Sequence, residues 1–283
     1  MLKYNLQRIR AGIQKGVFAG ARFVGHRPGQ VIKHLSYGKE SGQFLDLYLP
    51  RQGDNSAGNN VRLIFIHGGA WKSGNKDEYA YLGATMAAYG IACAVVGYRL
   101  YPEVRYPVFV EDVAHAIRWL HQNGKRFGFP EGPTYLMGHS AGAHIACLVA
   151  MDERFHQLAD KALEKVAGIV GLSGVYRFFP ETSELYKDIF SLAQPDYEMA
   201  KPINYVGEGK VPILMFHGDQ DDIIGIVNAE QMREAAEEKG QQAHLHLQRG
   251  YGHIRPIFDF VPFMPNHKKT MTILLEFLLK ESR

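Results

Sequence analysis

The sequence predicts an α/β fold, with a mostly parallel central sheet, an antiparallel hairpin at its N-terminal edge and helices on both faces. Three observations carry this expectation. From residue 61 onward, short apolar runs alternate with longer amphipathic stretches, the order that builds parallel strands joined by helical crossovers. The runs 63–66, 91–96 and 166–172 are apolar almost throughout, as strands covered on both faces must be. Ahead of them, Phe44, Asp46 and Tyr48 alternate with Leu45, Leu47 and Leu49, the period of two of a strand with one wet face.

Taken in order, strands are expected at 31–37 and 44–49, joined by the Gly-bounded turn 38–42, and a polar Gly/Asn loop spans 51–60. A strand at 63–66 leads to a helix at 78–89. A strand at 91–96 leads to a helix at 108–123, ending before Gly124. The apolar run 133–137 reads as a strand and 141–150, rich in small residues, as the helix after it. A strand at 166–172 follows, then one at 211–216 entered through Pro212. A helix at 226–239 closes on Gly240, a strand fills 243–247, and the last helix covers 266–280. The one sizeable irregular insertion, 175–210, carries Phe178, Phe179, Tyr186, Phe190 and Tyr197 and is expected to form a short cap or pocket wall. Residues 43–283 are expected to be one domain, a usual size for such folds.

Bulk properties bound the function. Hydrophobic residues make up 46% and charged residues 22% of the 283, an ordinary soluble composition. No apolar run approaches the length of about 18 residues needed to span a membrane. Cys93 and Cys147 lie in apolar stretches and read as reduced core residues, with no disulfide or metal spacing. A net charge of +3 gives no footprint for nucleic acid. The charge is uneven, however: residues 1–39 hold eight Lys or Arg and no Asp or Glu, leaving 24 basic against 29 acidic residues in the remainder. Leu2, Leu6, Ile9, Ile13 and Val17 share one helical face there, with Lys3, Arg8 and Lys15 off it. Three readings of residues 1–42 stay open: a basic amphipathic helix packed near the active-site mouth, a membrane-surface helix formed by residues 1–30, or a transit-like presequence. The lack of an uninterrupted apolar stretch near the N-terminus predicts a cytoplasmic protein.

Two segments carry the chemistry. Gly138-His139-Ser140-Ala141-Gly142 has the G-x-S-x-G spacing of a nucleophile elbow, a strained strand-to-helix turn that exposes a serine. His67-Gly68-Gly69-Ala70-Trp71 has the form of a loop whose backbone N–H groups stabilise an oxyanion. A serine hydroxyl is a weak nucleophile until a base takes its proton and a third group orients that base. In folds with this elbow the partners follow in the order serine, acid, histidine. Asp219, Asp221 and Asp222 crowd one loop after the expected strand at 211–216; order alone does not choose among them. Of thirteen histidines, His253 has both the right order and a Gly-flanked loop. His67 is expected to brace its own loop, and His139 is the variable residue of the elbow.

These segments make the chain similar to the α/β-hydrolases, within them to the carboxylesterase and kynurenine formamidase-like branch. The stretch Leu63 to Ser73 resembles that branch's oxyanion loop, and Gly138 to His144, GHSAGAH, its elbow. Val96 to Leu100 with Pro102, Tyr106, Pro107 and Asp112 resembles the following strand and helix. His217-Gly218 with Asp221 three residues on resembles the H-G-x-x-D acid loop, which selects Asp221. The resemblance runs from about residue 43 to the end. It departs at Gly225, where a proline often follows the acid loop, in the insertion 175–210, and over the first forty residues.

The resemblance implies a serine carboxylic-ester hydrolase without metal or organic cofactor, acting on a small-molecule ester with a short-to-medium acyl group. Its catalytic residues would be Ser140, Asp221 and His253, with Gly69, Ala70 and Ala141 as oxyanion donors. Trp71, Tyr98, Phe178, Phe179, Ile224, Ile254 and Phe258 are candidates for an apolar pocket wall. The alternatives are an arylformamidase, an acetyl or feruloyl esterase, and a hydrolase-like binding module without catalysis.

Overall fold

The computed structural model describes residues 28–51 and 61–280. The expected amphipathic helix of residues 1–30 therefore lies almost wholly outside the described residues. One sheet of eight strands organises the described chain: β1 (Gln30–Ser36), β2 (Phe44–Leu49), β3 (Arg62–Ile66), β4 (Ala92–Val96), β5 (Thr134–His139), β6 (Val166–Leu172), β7 (Ile213–Gly218) and β8 (Ala243–Gln248), in the spatial order β1-β2-β4-β3-β5-β6-β7-β8. The pairs β1–β2 and β2–β4 are antiparallel, and every pair from β4–β3 to β7–β8 is parallel. The hairpin thus sits at one edge.

Side-chain alternation along the strands divides the core in two. Leu45, Leu47, Ile64, Ile66, Ala94 and Val96 join one buried cluster with α2 (Val108–Asn123), α3 (Ala141–Met151) and α4 (Val227–Glu238). Leu63, Phe65, Cys93, Val95 and Met137 face the other, with α1 (Ala80–Ala88) and α5 (His267–Lys280). The α/β-hydrolase architecture expected from the sequence is the one observed.

Two elements differ from their sequence reading. β2 reads as a strand with one wet face, yet Asp46 and Tyr48 are buried as fully as the leucines beside them. Lys76, itself buried, lies 2.8 Å from the Asp46 carboxylate, and a methyl on Gly83 of α1 would come within 2.3 Å of the Tyr48 ring. A neutralising partner and a helix at contact distance cover what alternation marked as solvent-facing. The α2 helix does not stop at Gly124: a 3₁₀ turn, Gly124–Phe127, continues it to Gly128, whose φ of +82° ends the segment.

The insertion 175–210 is a series of short helical turns, among them Glu184–Ile189. Its Val175, Tyr176, Ile189, Phe190, Ala193, Tyr197 and Ala200 are buried in the same cluster as α3, so the segment is packed onto that face along its length. No helix among the described residues is long and apolar enough to cross a membrane.

Candidate active site

Parallel strands open their C-terminal ends onto one side of the sheet, where loops collect functional groups. β5 ends there in Ser140, held at φ +54°, ψ −117°. A non-glycine residue at that φ is strained by roughly 1–3 kcal/mol and needs support. Support comes from the Ser140 N–H, which donates to the Leu172 carbonyl of β6 at 2.9 Å, and from the two glycines of the elbow. A methyl on Gly138 would lie 2.2 Å from the backbone carbon of Gly142, and one on Gly142 would lie 2.1 Å from the Ile66 carbonyl oxygen. Only glycine lets α3 start this close to β5 and β3.

The chain's other two selected residues meet this serine. The Ser140 hydroxyl is 2.9 Å from His253 Nε2, and His253 Nδ1 is 2.8 Å from Asp221 Oδ2. A carboxylate can only accept, so Nδ1 carries the proton and Nε2 presents its lone pair to the serine hydroxyl. Ser140 is 7% exposed and His253 9%, which leaves the pair barely open to solvent. Asp221 Oδ1 accepts from the N–H groups of Ile223 and Ile224 at 3.0 and 2.8 Å. Burial raises the Asp221 pKa, but hydrogen bonds from His217 and His253 and the peptide N–H of Ile224 outweigh it and hold the carboxyl well below the usual carboxylate range. Of the two neighbouring acids, Asp219 instead accepts from the Gly250 N–H at 2.6 Å, tying two loops together, while Asp222 is exposed.

The other side of Ser140 is the loop after β3. Gly68 lies against the elbow, since a methyl there would be 2.8 Å from the His139 carbonyl oxygen and 3.3 Å from Ser140 Cβ. Gly69, Ala70 and Trp71 follow at φ +136°, +53° and +59°. The Gly69 carbonyl accepts from the N–H groups of Lys72 and Ser73 at 3.2 and 3.0 Å, and the Trp71 carbonyl from Tyr101 N–H at 2.9 Å. Ala141 opens α3 directly after Ser140, where the first N–H groups of a helix have no intrahelical partner.

The candidate wall residues separate. Trp71 is buried and packs on Phe178 and Phe190, with centroids 5.6 and 4.9 Å apart. Phe179 is 47% exposed and lies between the Arg177 guanidinium and the Lys201 ammonium, at 5.4 and 5.1 Å. Ile224 adjoins the acid, and its carbonyl accepts from His217 Nε2 at 2.7 Å. Ile254 and Phe258 pack against the α1/α5 cluster instead. Tyr98 is buried behind the loop 67–71: its ring stacks on His67 at 4.3 Å and its hydroxyl donates to the His67 carbonyl at 2.9 Å. His67 and Tyr98 together hold the loop from behind.

Three histidines acquire roles that sequence order did not assign. His217 Nε2 lies 3.2 Å from Asp221 Oδ2, so one carboxylate oxygen sits between two imidazoles. His139 Nε2 donates to the His253 carbonyl at 3.2 Å. His144 Nδ1 accepts from Trp71 Nε1 at 3.3 Å. Only His144 offered a local signal, four residues after Ser140 at the start of one helix.

A strained serine at the C-terminal edge of a mostly parallel sheet, hydrogen-bonded to a histidine and through it to an acid, defines the molecule as an α/β-hydrolase. More narrowly, the chain belongs to the BD-FAE family, whose model matches residues 45–236. It is 30% identical over 246 residues to the isoprenylcysteine alpha-carbonyl methylesterase ICME of Arabidopsis thaliana, covering 79% of this chain and 56% of that protein. It is 27% identical over 234 residues to the kynurenine formamidase of Meyerozyma guilliermondii, covering 76% of this chain and 84% of that one. The chain spans a little over half the length of several of the curated relatives it matches. In fold it is similar to esterase B from Lactobacillus rhamnosis, with a TM-score of 0.78 at 21% identity over 99% of this chain and 96% of that one.

Proposed function

We propose that the protein is a serine carboxylic-ester hydrolase working through an acyl-enzyme, with Ser140, His253 and Asp221 as its catalytic residues. The observation that carries this is the chain of two hydrogen bonds, 2.9 and 2.8 Å, from the strained Ser140 through His253 to Asp221. His253 Nε2 takes the hydroxyl proton as Ser140 Oγ attacks the ester carbonyl carbon. The negative charge that develops on the carbonyl oxygen meets the N–H of Ala141 and those of Gly69 and Ala70, each such donor being worth about 3–4 kcal/mol of barrier. Asp221, held ionised, keeps His253 in the tautomer that can accept and stabilises the imidazolium. The imidazolium then protonates the departing alcohol. A water deprotonated by His253 attacks the acyl-enzyme and releases the acid, and the proton returns to Ser140. The aromatic packing of Trp71, Phe178 and Phe190 supports a preference for short-to-medium acyl groups.

The test is a panel of p-nitrophenyl esters of increasing acyl length, run beside the Ser140→Ala variant. Turnover of the short esters, with a loss of about 10⁶-fold in kcat on removing the serine hydroxyl, is expected. Turnover retained in the variant overturns the proposal.

One second reading has an observation behind it: the kynurenine formamidase relative is matched over 84% of its length. Cleavage of N-formylkynurenine would use the same serine, base and donors, because only the leaving group changes from alcohol to amine. Comparing kcat/KM for N-formylkynurenine and p-nitrophenyl acetate decides between the two. An ester preference of tenfold or more is expected, and the reverse assigns the formamidase.

A further inference from the structure

Among the described residues the oxyanion loop holds the one run of three consecutive positive φ values. Gly69, Ala70 and Trp71 all have positive φ, and two of them carry a Cβ. Such a run persists only where its surroundings fix it. Its backbone bonds are local, apart from the contact of Trp71 O with Tyr101 N–H. What reaches out of the loop is the Trp71 side chain, 3% exposed, whose Nε1–H donates to His144 Nδ1 at 3.3 Å.

His144 has no exposure and sits one turn into α3 from Ser140, its N–H donating to the Ser140 carbonyl at 3.2 Å. Indole N–H can only donate, so His144 Nδ1 must be the bare nitrogen. Nε2 therefore carries the proton, and it faces the Ala200 carbonyl, which can only accept, at 2.8 Å. Burial lowers the His144 pKa to about 3, so near neutral pH this single neutral tautomer persists. Around it Trp71, Phe178 and Phe190 pack edge-on, with centroids 5.1, 5.5 and 5.8 Å from the imidazole. One ring thus bonds the oxyanion loop through one nitrogen and the insertion 175–210 through the other, from the helix that begins at the nucleophile.

We infer that His144 is a positioning residue with two separable duties: Nδ1 holds the oxyanion loop through Trp71, and Nε2 holds the insertion 175–210 through Ala200. The inference rests on the hydrolase reading above. The first duty concerns donors that act on the developing oxyanion, so its loss lowers kcat. The second concerns the insertion 175–210, read as a wall of the acyl site, which would meet substrate in ground and transition states alike, so its loss raises KM.

Two substitutions divide the imidazole. Asn carries an oxygen where Nδ1 stood and reaches no further, so His144→Asn keeps the acceptor for Trp71 and drops Ala200. Gln extends to where Nε2 stood, so His144→Gln keeps the donor to Ala200 and drops Trp71. For His144→Gln the expected result is a kcat about 10-fold lower with KM within about 2-fold; for His144→Asn it is KM about 3- to 5-fold higher with kcat within about 2-fold. Trp71→Phe, which removes the donor from the other end, should lower kcat like His144→Gln, and the double variant should be no slower than either single one. Each is assayed well below its own Tm, so that a folding defect registers as lost active enzyme, counted by fluorophosphonate titration.

Phosphonylation of Ser140 forms the Oγ–P bond as fluoride leaves, with negative charge building on the phosphonyl oxygen where the acyl oxyanion would sit, so its rate should fall about 10-fold in His144→Gln and Trp71→Phe but not in His144→Asn. Equal kcat and KM effects in the two His144 variants, or phosphonylation at the wild-type rate in both Trp71→Phe and His144→Gln, overturn the inference and leave the hydrolase reading standing. A wild-type protein that takes no phosphonyl group overturns both.

Discussion

The two sides of Ser140 are held by different physics. On the acid–base side, hydrogen bonds do the holding: Asp221 accepts two peptide N–H groups and two imidazoles, and His139 secures the His253 carbonyl. On the side of the loop 67–71, the proposed oxyanion side, ring packing does most of it: His67 stacks with Tyr98 and Tyr79, and Trp71 packs against Phe109, Phe178, Tyr186 and Phe190. The difference follows from what each side would do in the proposed mechanism. A base has to exchange protons, so its partners must be polar and directional. Backbone donors need only stay in place, and a strained loop stays in place when large rings leave it no room to relax.

The contrast can be broken at several points. The largest effect is expected at the acid. Asp221→Asn preserves size but removes the charge and the acceptor that selects the His253 tautomer, and kcat should fall by about 10⁴. A fall below tenfold, measured on a short ester at pH 7, would move the acid's role to a neighbour such as Asp222. His217→Phe keeps a ring in a fully buried position while removing the Nε2–H shared between the Ile224 carbonyl and the charged Asp221 acceptor, the latter contact being worth about 1.5–3 kcal/mol. A kcat reduced roughly 10- to 100-fold with an unchanged KM is expected. An altered KM instead would place His217 against substrate rather than behind the acid.

The aromatic side should register in stability against pH. Burial lowers the His67 pKa to about 4 and the His144 pKa to about 3, whereas in the unfolded chain both titrate near 6.5. Below pH 6.5 the unfolded state therefore binds more protons than the folded one. Stability is fully present above that value and is lost as pH falls toward 4, by up to about 1.4 kcal/mol per pH unit for each ring. Urea midpoints between pH 7 and 4 measure this, and replacing His144 with Gln should flatten the slope. An unchanged slope would mean that His144 already carries its charge when folded. The smallest effect is expected for Tyr98→Phe, which keeps the stack on His67 and removes the bond to its carbonyl, at a cost of about 1 kcal/mol in unfolding free energy.

The same contrast explains what the sequence made legible. Ser140, the acid loop and His253 lie in short Gly-bounded segments at the ends of apolar runs, so spacing and order were enough to select them, and the strands expected at 44–49 and 166–172 match β2 and β6. The choice of Asp221 over Asp219 needed a family resemblance, because both are short acids in one loop and only the fold decides which meets the imidazole. The long-range supporting contacts were hidden for another reason. His139 acts on a residue 114 positions away and Trp71 on one 73 away, and no local periodicity encodes such pairs. Burial of Asp46 and Tyr48 was hidden likewise, because the lysine and helix that cover them come some thirty residues later.

The central claim is that Ser140 alone becomes reactive, because its strained turn and His253 act on the same oxygen. Ser173 is its natural control, since it too ends a strand of the same sheet with a positive φ, +46°. Incubation with a fluorophosphonate followed by peptide mass mapping should find one adduct per chain, on Ser140, formed at least 10³-fold more slowly in the His253→Ala variant. An adduct on Ser173 or any other residue, or labelling of Ser140 that is indifferent to His253, would contradict the account.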